Sequence, residues 1–338
     1  MTNAIDITHL SRHHRDATAL DDVTVSFKAG VIHGLLGRNG AGKTSLMSIA
    51  SGQDWPSTGD VRVFGLRPHE NEQVLPRICF VREDQRYIED SFARHAFKAA
   101  AMAYPNWDAD LAERLAEDFR VPARTRIKKM SRGQRSAVAV ILGIASRADV
   151  TFFDEPYMGL DAVARQLFYD RLLQDYTEHP RTLILSTHLI DELAHLLENV
   201  VVIDRGRILL DEPVESLRGR AVTLVGPADA VRSLAGSRRV LHSESMGRTL
   251  RATVLRAPGQ TEGPFEDQRA RADGVEVLPV SLQQLIVHLT SAGASSSSPS
   301  SSPSSSPSSP PPPSPSPTGP GPGAPAVTTT GLSSEVSS

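Results

Sequence analysis

The chain has a single cysteine, Cys79, in 338 residues. One cysteine can form neither an internal disulfide nor a cysteine-rich zinc site, and it fits a reducing compartment. Aromatic residues make up only 5%, and no charge sign dominates: formal net charge is −3 and the pI is near 6.4. That balance speaks against a global nucleic-acid clamp and a polybasic membrane anchor, so no nucleic-acid partner is expected. Long apolar runs are lacking too. The opening MTNAIDITHLSRHHRD has no signal-peptide core. No uncharged apolar run approaches the roughly 20 residues needed to cross a bilayer. The longest candidate, 136–146, reads as a buried helix. A soluble protein is expected, and any work at a membrane requires another chain to span it.

What is present is 39% apolar residue, ample for a core, and an alternation of short apolar runs with helical patterns. Strands are expected at 31–36, 61–64, 78–81, 150–153, 182–186 and 200–204, and helices at 43–51, 92–104, 108–119, 132–146, 162–176 and 190–197. The runs at 150–153 and 183–185 are apolar without alternation, as strands are when helices cover both sheet faces. The fold class is therefore α/β with a mainly parallel sheet. Composition shifts after Glu215. Residues 1–215 form the main domain, with a helical insert at about 84–145, and 216–292 read as a small α+β appendage without a chemical motif. Residues 293–338 hold 12 of the 24 prolines, many serines and one charged residue, Glu335. Such a segment buries too little apolar surface to offset its ordering entropy, so it is expected to be a disordered tail.

Gly37-Arg38-Asn39-Gly40-Ala41-Gly42-Lys43-Thr44, followed by Ser45, fits the pattern G-x-x-x-x-G-K-[ST] between an expected strand and an expected helix. Glycines there let backbone N–H groups turn inward around phosphate oxygens, and the helix N-terminus favours the anion. Lys43 is expected to reach the β- and γ-phosphates of ATP, and Thr44 to offer its hydroxyl to Mg²⁺. The loop alone suits kinases, GTPases, helicases and transporters alike.

A second element, Val150-Thr-Phe-Phe-Asp154-Glu155-Pro156, ends an apolar strand in two carboxylates. Asp154 can hold Mg²⁺ through water, and Glu155 can act as general base on the attacking water. A third apolar run, from Thr182, delivers His188 to the same sheet edge, where open α/β sheets bind ligands. His188 could bond the γ-phosphate and hold the water and Glu155 in line.

Lys129-Met130-Ser131-Arg132-Gly133-Gln134-Arg135 ends its match twenty residues before Asp154, and here the sequence resembles the ABC ATPase family. The family form is Leu-Ser-Gly-Gly-Gln, so Met130 and Arg132 depart from it while Ser131, Gly133 and Gln134 match. Gly159-Leu160-Asp161 resembles the family loop that spans the dimer interface. The resemblance covers about residues 3–215. It implies a P-loop NTPase of the ABC nucleotide-binding type, with ATP and Mg²⁺ as cofactors. It also implies that Ser131, Arg132, Gly133, Gln134 and Asp161 meet the ATP held by an opposite protomer. The adenine-stacking aromatic falls at His14, and the Mg²⁺-binding glutamine at Glu83, with Gln85 two residues on. Tyr104-Pro-Asn-Trp-Asp108 is similar to a bacterial exporter branch linked with antibiotic-responsive operons. The same residues also suit a turn with Asp108 as a helix N-cap. The resemblance implies an ATP-hydrolysing subunit that forms a homodimer or a heterodimer with a paralogue and drives a separate transmembrane permease. It also places the chain in the cytoplasm on the inner face of the membrane, with export as the expected direction. A non-transport ABC ATPase acting on ribosomes or DNA is the alternative. Relatives of that kind usually carry two cassettes or a long coiled coil, and this chain has one cassette and no long heptad run.

Overall fold

The computed structural model describes residues 2–88, 90–256, 270 and 272–295. The chain opens with two long antiparallel strands, β1 (Asn3–His13) and β2 (Thr18–Lys28), before the first strand of the main sheet, β3 (Ile32–Leu36), and the helix α1 (Lys43–Ala50). Strand β4 (Thr58–Val63) returns to pair with β1, giving a three-stranded antiparallel sheet in the order β2-β1-β4. Next come β5 (Ile78–Val81), the helices α2 (Ala93–Ala103), α3 (Ala109–Asp118) and α4 (Arg132–Ala145), and then β6 (Val150–Asp154). After these follow α5 (Ala162–Glu178), β7 (Thr182–Thr187), the short α6 (Ile190–Leu193), β8 (Asn199–Asp204) and β9 (Arg207–Pro213).

Six strands form the main sheet in the order β5-β6-β7-β3-β8-β9, parallel except for β9 at the edge. Its strands other than the edge strand β9 are buried on both faces, and successive side chains enter different cores. Phe153, Leu185 and Val202 face the helices α4 and α5, while Phe152, Ile184 and Ile203 face α1 and the three-stranded sheet. This two-sided burial explains the unbroken apolar runs in the sequence. His33 on β3 is fully buried on the second face. It stands edge-on to Phe27 at 5.2 Å, and its Nε2–H donates to the Lys28 carbonyl at 3.0 Å. Burial pushes its pKa below the usual imidazole value, because the charged form would lose its hydration.

The helix expected over 190–197 stops at Leu193, and the chain then bends so that Leu196 and Leu197 enter the core, Leu197 against Gly34. Asp108 caps α3 by accepting the Leu111 N–H at 2.8 Å and also pairs with Arg147 at 2.9 Å, as its place before a helical pattern suggests.

Past the main sheet, α7 (Val214–Leu217) leads into β10 (Ala221–Pro227), α8 (Ala228–Ala235), β11 (Val240–Met246) and β12 (Thr249–Leu255). The last described elements are β13 (Glu276–Pro279) and α9 (Leu282–Ser295). The four strands make an antiparallel sheet in the order β11-β12-β10-β13. This region has its own small core around Val222, Val231 and Val254. Leu241, Leu285 and Ile286 nevertheless belong to the main helical core. Of the tail expected over 293–338, the first three residues end α9, and the rest, like residues 257–269, lies outside the described residues.

Candidate active site

The sheet order brings β6, β7 and β3 side by side. Adjacent strands lie about 4.8 Å apart, so the residues following their C-terminal ends converge on one edge. A cavity of about 600 Å³ opens there. Asn39, Gly40, Ala41, Gly42, Lys43, Thr44 and Ser45 line it, and so do His14, Glu83, Asp154, Glu155 and His188. Every residue expected to meet nucleotide or metal from within the same chain is in that group except Gly37 and Arg38, whose carbonyls instead hold the lysine.

The loop between β3 and α1 turns at Gly42, whose φ is +110° and where a Cβ would sit 2.5 Å from the Ala19 carbonyl oxygen. Only glycine fits that turn. Lys43, 6% exposed, donates through Nζ to the Gly37 carbonyl at 2.8 Å and to that of Arg38 at 3.4 Å. Its nitrogen also lies 3.6 Å from Glu155 Oε1. No acidic residue stands in the first turn of α1, so the positive end of the helix is left for an anion.

Among the described residues no group of three or more His, Cys, Asp or Glu side chains makes a metal site by itself. A magnesium ion arriving with nucleotide needs less, since phosphates and water supply most of its shell. Thr44 Oγ1 donates to Asp154 Oδ2 at 2.6 Å, an oxygen pair that fits this requirement. The other oxygen, Oδ1, accepts from Ser186 Oγ at 2.6 Å and so has its orientation set by β7.

Glu155 has φ +47°, a left-handed conformation that costs a non-glycine residue on the order of 1 kcal/mol. The turn aims its side chain back under the loop. Glu155 Oε2 accepts from Tyr157 Oη at 2.5 Å and lies 2.6 Å from His188 Nδ1. Glu155 Oε1 is buried with no hydrogen-bond partner. Tyr157, 3% exposed, was not anticipated from the sequence. An aromatic after Asp-Glu-Pro reads as a packing residue, and only its fold neighbours reveal a polar task.

Glu83 lines the cavity, but its Oε1 accepts from Arg132 Nη2 at 3.0 Å. Gln85 lies away from the cavity and accepts weakly from the Arg82 N–H at 3.4 Å. The two departures from the family pattern, at 83 and 132, are thus paired with each other. Ser131, Arg132, Gly133 and Gln134 do not line the cavity. Ser131 caps α4 in a reciprocal box: its Oγ accepts the Gln134 N–H at 3.2 Å, and its own N–H donates to Gln134 Oε1 at 3.0 Å. Asp161 caps α5 through the Ala164 N–H at 2.8 Å and is also outside the cavity. Gly133 touches the neighbouring loop, since a Cβ there would come within 2.7 Å of the Gly159 carbonyl oxygen.

Residues 20–158 match the family model described as ABC transporter. The chain is 25% identical over 223 residues to the bacitracin transport ATP-binding protein BcrA of Bacillus licheniformis, covering 65% of this chain and 73% of that one. It is 29% identical over 231 residues to the aliphatic sulfonates import ATP-binding protein SsuB 1 of Rhizobium johnstonii, covering 64% of this chain and 79% of that one. The fold is similar to that of a dimeric ATP-binding cassette in a post-hydrolysis state bound to ADP and Pi, with TM-score 0.55, 19% identity, and 62% and 98% of the two chains covered. The matched stretch holds both the phosphate loop and the carboxylate strand end, the two halves of an ATPase site.

Proposed function

We propose that this chain is the ATP-hydrolysing subunit of a membrane exporter, acting as a dimer whose two sites are each shared between protomers. One observation carries the reading. Lys43, Thr44, Asp154, Glu155 and His188 line one cavity, whereas Ser131–Gln134 and Asp161 start helices outside it. A helix N-terminus attracts phosphate whether or not the phosphate belongs to its own chain. The arrangement supports a site finished by another copy or by a paralogue.

In this reading the loop amides and Lys43 bind and orient the β- and γ-phosphates, and Thr44 and Asp154 hold Mg²⁺. The ion, when bound, supplies positive charge where negative charge develops on phosphate oxygens. Glu155 accepts a proton from the attacking water, and His188 steadies Glu155 through its Nδ1. Closure of two chains over ATP excludes water and does mechanical work on separate permease subunits.

No described helix is long and apolar enough to cross a membrane, so the spanning part is assigned to those subunits, with this chain attached at the inner face. Identities of 25% and 29% to a bacitracin transport protein and a sulfonate import protein leave direction open. Export is preferred on the Tyr104–Asp108 segment, which packs Trp107 against Phe97 in the helical insert. The domain reading follows the same lines: 1–215 as the motor, 216–292 as an appended module, 293–338 as a tail.

The deciding experiment is Glu155→Gln in the full chain. ATP binding should persist and an ATP-bound dimer should accumulate on a sizing column, while hydrolysis falls at least about 100-fold. Near-normal hydrolysis would remove Glu155 as the base. Recovery of a polytopic membrane protein with the tagged chain supports transport, and recovery of ribosomes instead would replace it.

A further inference from the structure

Beyond the residues that hold nucleotide and metal, one buried hydroxyl meets the proposed base and the histidine at once. Tyr157 Oη lies 2.5 Å from Glu155 Oε2, 2.9 Å from Thr187 Oγ1, 3.1 Å from the His188 backbone nitrogen and 3.1 Å from His188 Nδ1. A phenol has one proton to give and two lone pairs to receive.

Counting donors settles the direction of each bond. Glu155 as a carboxylate only accepts, so the phenol proton goes to Oε2. The His188 N–H can only donate. Thr187 Oγ1 already accepts the Leu189 N–H at 2.8 Å and gives its own proton to Tyr157. Both lone pairs of Tyr157 are then used. The His188 Nδ1 proton has one acceptor within reach, Glu155 Oε2 at 2.6 Å. One carboxylate oxygen therefore receives two hydrogen bonds, while Oε1 is buried without any and lies on the side of Lys43.

We infer that Tyr157 is a positioning residue for hydrolysis: its hydroxyl divides the Glu155 carboxylate into a tethered oxygen and a working oxygen, and fixes the proton of His188 on Nδ1. The inference rests on Glu155 acting as the base. Burial raises the phenol pKa well above its usual value, with the neighbouring carboxylate adding to the effect, so the hydroxyl keeps its proton and remains a donor. The ring itself is held independently. It stands edge-on to His188 at 5.6 Å and is 3% exposed, so a phenylalanine would fill the same volume.

The strained backbone at Glu155 makes such a tether necessary. A residue with φ +47° at the end of a strand has its side-chain direction set by a turn rather than by the sheet. The turn is closed by the Met158 N–H to the Glu155 carbonyl and the Leu160 N–H to the Tyr157 carbonyl, both at 3.0 Å. The base and its tether thus belong to one folded loop.

The test is Tyr157→Phe in the full chain, measured beside Glu155→Gln. Expected is a fall in kcat of about 10- to 100-fold with KM for ATP and the binding constant of a fluorescent ATP analogue within about twofold. A purely structural residue would instead move the melting midpoint and KM. His188→Ala in the Tyr157→Phe background should cost much less than it does alone, because both act on the same carboxylate oxygen. Wild-type kcat in Tyr157→Phe with an inactive Glu155→Gln overturns the tether and leaves the base assignment standing. Activity in both variants overturns the base assignment as well. Should Tyr157→Phe fold poorly, 3,5-difluorotyrosine at 157 keeps ring and hydroxyl while making the O–H a stronger donor. A several-fold lower kcat is then expected, and an unchanged kcat overturns the inference.

Discussion

At the sheet edge Lys43, Asp154 and Glu155 are 6%, 4% and 8% exposed; Lys43 pairs with Glu155, and Asp154 is held by Thr44 and by Ser186 of β7. At the starts of α4 and α5, Ser131, Arg132 and Asp161 stand in solvent, each bonded only within its own turn or, for Arg132, to Glu83. Both regions bear on the same proposed chemistry. The first is assembled by folding, through strands that must be adjacent for the core to close. The second is a pair of capped helix ends whose caps are already made and which face solvent. A site shared between chains demands this difference, because a half that meets its target only on association must be stable alone.

The sharpest way to break the comparison is to damage each region separately. Lys43→Ala should abolish both ATP binding to the isolated chain and hydrolysis. Ser131→Glu, which sets a like charge before phosphate, should leave binding to the isolated chain within about twofold and lower hydrolysis by at least about 100-fold. Equal loss of ATP affinity in both variants would mean that the helix start belongs to the same chain's site. Titration of a fluorescent ATP analogue and a phosphate-release assay give the two readings.

A second prediction concerns the buried side. The folded pKa of His33 is lowered, so the unfolded chain binds the proton more readily as pH falls below the ordinary value of 6.5. Stability from this residue is full above that value and is lost as pH drops through it toward the folded pKa. The wild-type melting midpoint should fall between pH 7 and pH 5.5 by more than that of His33→Gln, which keeps a donor for the Lys28 carbonyl. Parallel curves would show that His33 titrates freely in the fold. The smallest effect lies on the exposed side. Arg132 and Glu83 are largely solvated, with side chains 59% and 44% exposed, and breaking their pair should cost less than about 1 kcal/mol. Arg132→Ala should therefore leave the thermal midpoint within about 3 °C of wild type.

Much of this was legible before any fold was known. The unbroken apolar runs at 150–153 and 183–185 announced strands covered on both faces, and the glycine-lysine-threonine turn announced phosphate. What escaped has identifiable physical causes. Strand β1 has several register irregularities against β2, and His9 within it has φ +48°, so no period of two survives for a reader to find. Tyr157 carries no signal in the sequence because its polar partners Thr187 and His188 lie 30 and 31 residues away along the chain. Arg132 and Glu83 read as two unrelated departures because 49 residues separate them. Spacing along a sequence reports elements well and reports pairings between distant loops hardly at all.

The close approach of Gly133 to the Gly159 carbonyl has a mechanical consequence. Loop 155–161, with the proposed base and its tether, bears directly on the first turn of α4, and Ser136 Oγ bolts the two together through the Met158 carbonyl at 2.6 Å. They form one lever with two ends. In a dimer of the kind proposed, one end senses whether this chain's own phosphate is intact, and the other presses on the phosphate of its neighbour. In such a dimer this joint would couple the two sites without any long relay through the protein, and a side chain at 133 would act as a spacer between them.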